Sequence, residues 1–323
     1  MLSENLINTS QNFHVNPSLK CGETLVDDDD IYDDEDEYCF PINFHVTLPE
    51  EYGEMKLRFG SRDKCSGVLL PSEEKVSKED LESGGLNDPF FFQPGFYLEA
   101  KTGFQVWPGS RLMAEAFICM TDNDAMKDYQ KNLNGLRILE VGSGIGFAGT
   151  LLASCGASVL LSDLPVLVEH GISSNIRRNA KIEKSTIPPK AENFFGDIEL
   201  TNIGGGWASA AVLDWFKPAS DQLQNQTLSS IDVIIGCDCM FIRKIVEPLL
   251  NTVSTIFEQS AANNPKFLFT FQHRNMRGVF TQFEELLNLI QDRDWEMKCV
   301  AWRRIAVEDD GEQNLYLFEV TPS

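Results

Sequence analysis

The chain is poor in the residues that hold metal ions and nucleic acids. It has four histidines in 323 residues. Its eight cysteines, at 21, 39, 65, 119, 155, 237, 239 and 299, never fall as C-x-x-C. Structural zinc spacing is therefore missing. Lys and Arg number 27 against 49 Asp and Glu, a net charge of −22. Proteins that track phosphate backbones bind by releasing counterions with basic side chains, and this balance opposes that. No nucleic acid is expected, and the charge favours a basic partner, or none. No apolar run approaches the ~20 residues of a membrane span, so no membrane association is expected. No basic start followed by an apolar block marks a signal peptide. Several cysteines lie inside apolar runs and read as reduced, buried thiols. The expected location is cytoplasmic, or also nuclear.

Hydrophobic residues make up 42% of the chain, ordinary for a globular protein, and the length suffices to bury a core without staples. Residues 1–38 are polar and then acidic, with nine acids between Asp27 and Glu37. They read as a disordered tail, solvating or serving as an arm for a basic partner. Residues 39–106 form an N-terminal β-rich extension. Its expected strands are Phe44–Leu48, Met55–Phe59, Phe90–Phe92, Phe96–Ala100 and Gly103–Val106. Residues 107–323 form the main domain. It starts with a helix after Trp107-Pro108, capped by Ser110.

The domain is organised around residues 136–163. Arg137–Val141 reads as a buried strand. Gly142, Gly144 and Gly146 follow at every second position, then a small-residue helix over Phe147–Cys155. Ser158–Leu161 is the next strand, closed by Asp163. This strand, glycine loop, helix, strand and acid form half of a nucleotide-binding sheet. Glycines let the backbone approach a ligand, and the terminal carboxylate suits ribose hydroxyls. Gly144-Ile-Gly146-Phe-Ala-Gly149 also satisfies G-x-G-x-x-G, which keeps a NAD(P)-dependent oxidoreductase open. Glu140, two residues before the first glycine, can face a cationic amino-acid end and favours S-adenosylmethionine.

A helix follows over Pro165–Asn179. Residues 181–206 exceed a usual connection and read as an insertion near the ligand face. The third strand, Ala208–Leu213, ends in Asp214-Trp215, and Lys217–Leu228 reads as polar loop. The fourth strand, Ile231–Gly236, ends in Cys237-Asp238. The fifth, Phe267–Phe271, ends in Gln272-His273-Arg274 on the ligand side of the sheet; His273 and Arg274 read as an ordinary strand-end loop, with a place at the border of the acceptor pocket as the alternative. Helices cover Ile245–Ser260 and Val279–Ile290. Met297–Ile305 and Leu315–Val320 make a closing hairpin. Seven strands, five of them alternating with helices, predict an α/β fold with a mainly parallel sheet.

Val106-Trp107-Pro108, Leu139-Glu-Val-Gly-Ser-Gly-Ile-Gly146, Ser162-Asp163-Leu164-Pro165, Leu213-Asp214-Trp215 and Gly236-Cys237-Asp238 together resemble a known family. It is the seven-β-strand, S-adenosylmethionine-dependent protein methyltransferases of the lysine methyltransferase-like group. The resemblance covers roughly residues 95–320. It implies the Rossmann-like class I methyltransferase fold with a terminal antiparallel hairpin, S-adenosylmethionine as cofactor, and a monomer acting on a protein substrate. Glu140, Gly142, Gly144 and Gly146 would line the methionine end. Asp163 would bind the ribose, Asp214 and Trp215 would bracket the adenine, and Trp107 and Cys237 would touch the cofactor. The family's Asp-x-x-Tyr reads Asp238-Cys-Met-Phe241 here. Asp238 is the catalytic candidate; its alternative role is to hydrogen-bond nearby backbone N–H groups. Lysine is the first choice of acceptor, with protein histidine or arginine or a small molecule open. The competing reading is an inactive scaffold that keeps the cofactor fold.

Overall fold

A computed structural model of the chain describes residues 19–23, 42–53, 55–61, 102–119, 124–180, 195–196, 198–274, 278–307 and 311–323. The expected strands Phe90–Phe92 and Phe96–Ala100, the acidic run 27–37 and most of the 181–206 insertion lie outside the described residues.

Eleven strands are described. β1 (Lys20–Glu23), β2 (Ile42–Thr47) and β3 (Lys56–Ser61) form a small antiparallel sheet in the order β1-β2-β3. The other eight form one large sheet. They are β4 (Arg137–Val141), β5 (Ser158–Asp163), β6 (Thr201–Ile203), β7 (Gly206–Val212), β8 (Val233–Gly236), β9 (Lys266–Gln272), β10 (Trp295–Val307) and β11 (Gly311–Pro322). Their order is β10-β11-β9-β8-β4-β5-β7-β6. β9, β8, β4, β5 and β7 run parallel, and β11 pairs antiparallel with both β9 and β10. The expected parallel sheet with its closing hairpin is thus present. An eighth strand, β6, adds an antiparallel edge beside β7.

Helices cover both faces, which is why the central strands are apolar throughout rather than alternating. In β4, Ile138 joins the core of one face and Leu139 that of the other. The first face carries α1 (Pro108–Ile118), α2 (Asp124–Asn132), α3 (Phe147–Ser154), α4 (Ser173–Asn179) and the small sheet. The second carries α5 (Arg243–Gln259) and α6 (Phe283–Gln291).

Several expectations change. Lys20–Glu23 is a strand inside the expected disordered tail. It is held by its pairing with β2 and by Arg111, whose guanidinium donates to the Leu19 carbonyl at 2.7 Å. Gly103–Val106 is turn and extended chain, not a strand. α1 starts at Pro108 with Trp107 as its N-cap, and Ser110 lies inside it. Proline suits a first helical position because its missing N–H is not needed there. The Pro165–Asn179 helix divides into a wide π-turn, Leu167–Ile172, and α4. Lys217–Leu228 holds two one-turn helices, Ala219–Gln222 and Asn225–Leu228.

The small sheet is tied to the domain by two asparagines one turn apart on α4. Asn179 bonds the N–H and carbonyl of Arg58 at 2.8 and 2.7 Å. Asn175 does the same for Gly60 at 2.8 and 3.1 Å, and donates also to the Ile145 carbonyl at 3.0 Å. Two side-chain amides thereby pair the outer edge of β3, and at Gly60 the paired groups are buried, where they would be costly without a partner. Stacked Phe44 and Phe59 pack against Phe147 of α3 behind them.

Candidate active site

β4 has β5 on one side and β8 on the other, so the chain reverses its direction of progress across the sheet between them. A crevice opens there, at the carboxyl ends of the strands. A cavity of about 550 Å³ fills it, walled by the loops after β4, β5, β7 and β8 and by the start of α1. Trp107, Gly142, Gly144, Asp163, Asp214, Trp215, Cys237 and Asp238 all line it. Eight of the ten site residues expected from the sequence therefore meet in one place.

The glycine loop is laced to β5. The Ser143 N–H donates to the Ser162 carbonyl at 3.0 Å, and the Ser162 N–H to Ser143 Oγ at 3.0 Å. Gly142 and Gly144 have φ of +67° and +57°. A Cβ on Gly142 would lie 2.6 Å from Cys239 Sγ and 2.9 Å from the Trp215 ring. Bare backbone therefore forms the floor. Asp163 accepts from the Gly144 N–H on one oxygen and the Leu164 N–H on the other, both at 2.8 Å. Its carboxylate stands at the rim, fixed and half-buried.

Glu140 and Gly146 do not line the cavity. The Glu140 side chain is fully buried behind the loop, where it accepts from the Gly149 N–H at 3.1 Å and lies 3.8 Å from the Cys237 thiol. A Cβ on Gly149 would sit 2.5 Å from that carboxylate, so the last glycine of G-x-G-x-x-G makes room for Glu140. Burial pushes the Glu140 carboxyl up to about 8, against the pull of the Gly149 N–H. Gly146 opens α3 with φ +79° and its Cβ position faces Leu161.

Across the cavity, Gln222 holds the Asp214 backbone through both amide groups, at 2.8 and 2.9 Å. The Asp214 carboxylate accepts from the Phe216 N–H and pairs with Lys217 at 3.0 Å. Beside it, the Trp215 indole N–H is buried with no hydrogen-bond partner. A buried donor left unmade costs about 1–3 kcal/mol. An orphan donor, a bare glycine floor and a rim carboxylate fit a ligand with a nucleobase and a ribose.

The far end is built around Asp238. Its φ is +53°, uncommon for a residue with a side chain. The Asp238 N–H donates to Thr270 Oγ1 at 2.8 Å. Its Oδ2 accepts from the Gly109 N–H, in the first turn of α1, at 2.6 Å. Burial raises its carboxyl, while Arg274 and the Gly109 N–H pull it back. Phe241 lies on the same wall, stacked on Trp107 with ring centroids 6.4 Å apart. The sequence leaves Arg274 between an ordinary strand-end loop and a border of the acceptor pocket, and the structure buries it beside both rings. Its apolar neighbours come from three separated segments, which no local pattern reveals. His273 is exposed.

The chain is similar to several known proteins. The family described as lysine methyltransferase matches residues 97–194 and 187–288. The histone-arginine methyltransferase METTL23 of Xenopus laevis is 28% identical over 202 residues, 62% of this chain and 68% of that protein. The calmodulin-lysine N-methyltransferase of Arabidopsis thaliana is 24% identical over 201 residues, 61% of this chain and 55% of that protein. A solved magnesium protoporphyrin IX methyltransferase from Synechocystis aligns at 12% identity over 72% of this chain and 91% of its own, with a TM-score of 0.40.

Proposed function

We propose that this chain, which belongs to the lysine methyltransferase family, uses the cavity to transfer a methyl group from S-adenosylmethionine to a protein side chain, a lysine amine. The observation that carries this is one continuous cavity with nucleoside-binding groups at one end and a buried carboxylate at the other.

When bound, S-adenosylmethionine supplies an activated methyl group on a sulfonium, so the protein's contribution is mostly placement and a suitable field. Asp163 would accept from the ribose hydroxyls on the lone pairs that its two backbone hydrogen bonds leave. Trp215 offers its unpaired N–H at the base end, and Gly142 and Gly144 let the ligand lie against backbone. At the other end Asp238 accepts a hydrogen bond from the acceptor amine and orients its lone pair. The amine proton leaves to water before transfer.

The geometry of Asp238 favours lysine over arginine. A guanidinium pairs best with two carboxylate oxygens in a fork. Here Oδ2 already accepts from the Gly109 N–H, so a fork to both oxygens would have to share that acceptor. A lysine amine needs only one acceptor. Among the described residues lining the cavity, the other two carboxylates, Asp163 and Asp214, stand at the nucleoside end. The METTL23 relatives bear an arginine-methyltransferase name, so acceptor type is the point to test.

The protein partner would be basic, in keeping with the net charge of −22, and would be met by a single chain without nucleic acid. Six described cysteines are free thiols, in keeping with the cytoplasm or nucleus.

Calorimetric titration with S-adenosylmethionine and S-adenosylhomocysteine tests the cofactor site, and micromolar binding is expected. Radiolabelled methyl transfer into cell extract then tests the acceptor. Blocking extract lysines by acetylation, which removes the amine's nucleophilic lone pair, should abolish labelling. Undiminished labelling after blocking would overturn lysine. No binding of either ligand would favour the scaffold reading.

A further inference from the structure

Arg274 lies two residues past β9, buried beside the acceptor end of the cavity. Its guanidinium carbon is 4.9 Å from the Phe241 ring centre, 5.4 Å from that of Trp107 and 5.7 Å from that of Phe280. It does not line the main cavity. It lines a small adjoining pocket, and Asp238 and Phe241 form the wall shared by the two. Among the described residues of that small pocket, Arg274 alone is cationic. The guanidinium thus sits behind the wall, against the residues that face the acceptor.

We propose that Arg274 is the positioning residue of the acceptor pocket: it neutralises Asp238 from behind and fixes the rings of Phe241 and Trp107 at the cavity wall. This rests on the methyl-transfer reading above. A buried carboxylate far from any cation takes up a proton, and a protonated Asp238 cannot accept from an amine in the same way. The other titratable groups near Asp238 are the thiols of Cys237 and Cys239 in the same turn, with Glu140 of β4 beyond Cys237. Both thiols are held neutral by burial and supply no positive charge. The aromatic faces are also committed. A cation over an aromatic ring is attracted to it, most strongly when desolvated, and Arg274 already occupies those faces of Phe241 and Trp107.

Two measurements test this. The first needs no activity: denaturant unfolding of the ligand-free full chain as wild type, Arg274→Met, Asp238→Asn and the double variant. Met keeps the length of the stem and removes the charge. If the pair is coupled, Arg274→Met lowers the unfolding midpoint and adding Asp238→Asn recovers much of the loss. Simple addition of the two losses overturns the proposal. The second is the pH profile of methyl transfer. Arg274→Met should lower kcat at neutral pH about 10–100-fold, leave S-adenosylhomocysteine affinity within about two-fold, and move the acid limb to higher pH. Arg274→Lys should move the limb back. Glu140→Gln serves as the control for a limb that belongs to Glu140 instead. An unmoved limb with wild-type kcat in Arg274→Met overturns the proposal. A wild type that binds no S-adenosylhomocysteine sinks the methyl-transfer reading, and the unfolding cycle still judges the pairing separately.

Discussion

Asp238 accepts a 2.6 Å hydrogen bond from the Gly109 backbone N–H, 129 residues earlier in the chain. This bond joins the loop after β8 to the first turn of α1, and it anchors the Asp238 carboxylate through Oδ2. Gly109 has no room for a side chain. A Cβ there would lie 2.1 Å from Thr270 Oγ1 and 2.3 Å from Asp238 Oδ2. Alanine is a better helix former than glycine, so Gly109→Ala harms the protein through these two contacts, and Thr270 Oγ1 itself accepts from the Asp238 N–H. Displacing Asp238 by about 1 Å should cost roughly 100-fold in kcat. Affinity for S-adenosylhomocysteine should stay within about three-fold, because the nucleoside end is untouched. Steady-state kinetics beside calorimetry checks this split, and equal losses in both would place Asp238 in cofactor binding.

Asp163→Ala should act on the opposite end. Its carboxylate holds the Gly144 and Leu164 N–H groups as well as facing the expected ribose. Hydrogen bonds to charged groups contribute about 1.5–3 kcal/mol each. The variant should therefore bind S-adenosylhomocysteine roughly 10–100-fold more weakly by calorimetry. Unchanged affinity would mean that the ribose lies elsewhere.

The nucleoside end was legible in the sequence because its signals are local. An apolar strand, alternate glycines and a strand-terminal acid lie within 136–163. Other features depend on distant partners. Lys20–Glu23 forms a strand only because β2 and Arg111 meet it. α2 buries only Met126 and Tyr129, too few apolar positions for a clear period. β6 is three residues long and gains its place from β7. Glu140 was correctly expected on the strand before the loop, but β-strand spacing alone does not tell which side of the loop a carboxylate serves. The Asp238–Gly109 bond was named only in outline, as a possible backbone partner for Asp238, since its two ends are far apart in the chain.

Asn175 should affect stability and ligand binding together. It satisfies both backbone groups of Gly60 in β3 and the Ile145 carbonyl in the glycine loop. Asn175→Ala leaves three buried polar groups without this partner, at about 1–3 kcal/mol each. Relaxation and water entry should reduce the total to about 3 kcal/mol, read from denaturant midpoints. The freed loop should also weaken S-adenosylhomocysteine binding by several-fold. A stability loss without any change in affinity would show that the small sheet and the loop are not coupled through this residue.

Glu140 separates two roles for a carboxylate under the glycine loop. Its folded pKa is raised to about 8 by burial, against about 4.3 in an unfolded chain. Between those values the folded state holds a proton that the unfolded state has lost. Stability contributed by this group is therefore complete below about pH 4.3 and declines as pH rises toward 8, by up to about 1.4 kcal/mol per pH unit. Glu140→Gln removes this contribution to the slope, so its stability relative to wild type should improve steadily from pH 5 to 8. Glutamine can still accept from the Gly149 N–H, and Glu140 is absent from the cavity wall. Affinity for S-adenosylmethionine should then stay within a few-fold. Unfolding curves across that pH range, with calorimetry at each pH, decide the matter: a tenfold or greater loss of affinity would mean that the carboxylate acts on the amino-acid end of the cofactor rather than only on the loop that surrounds it.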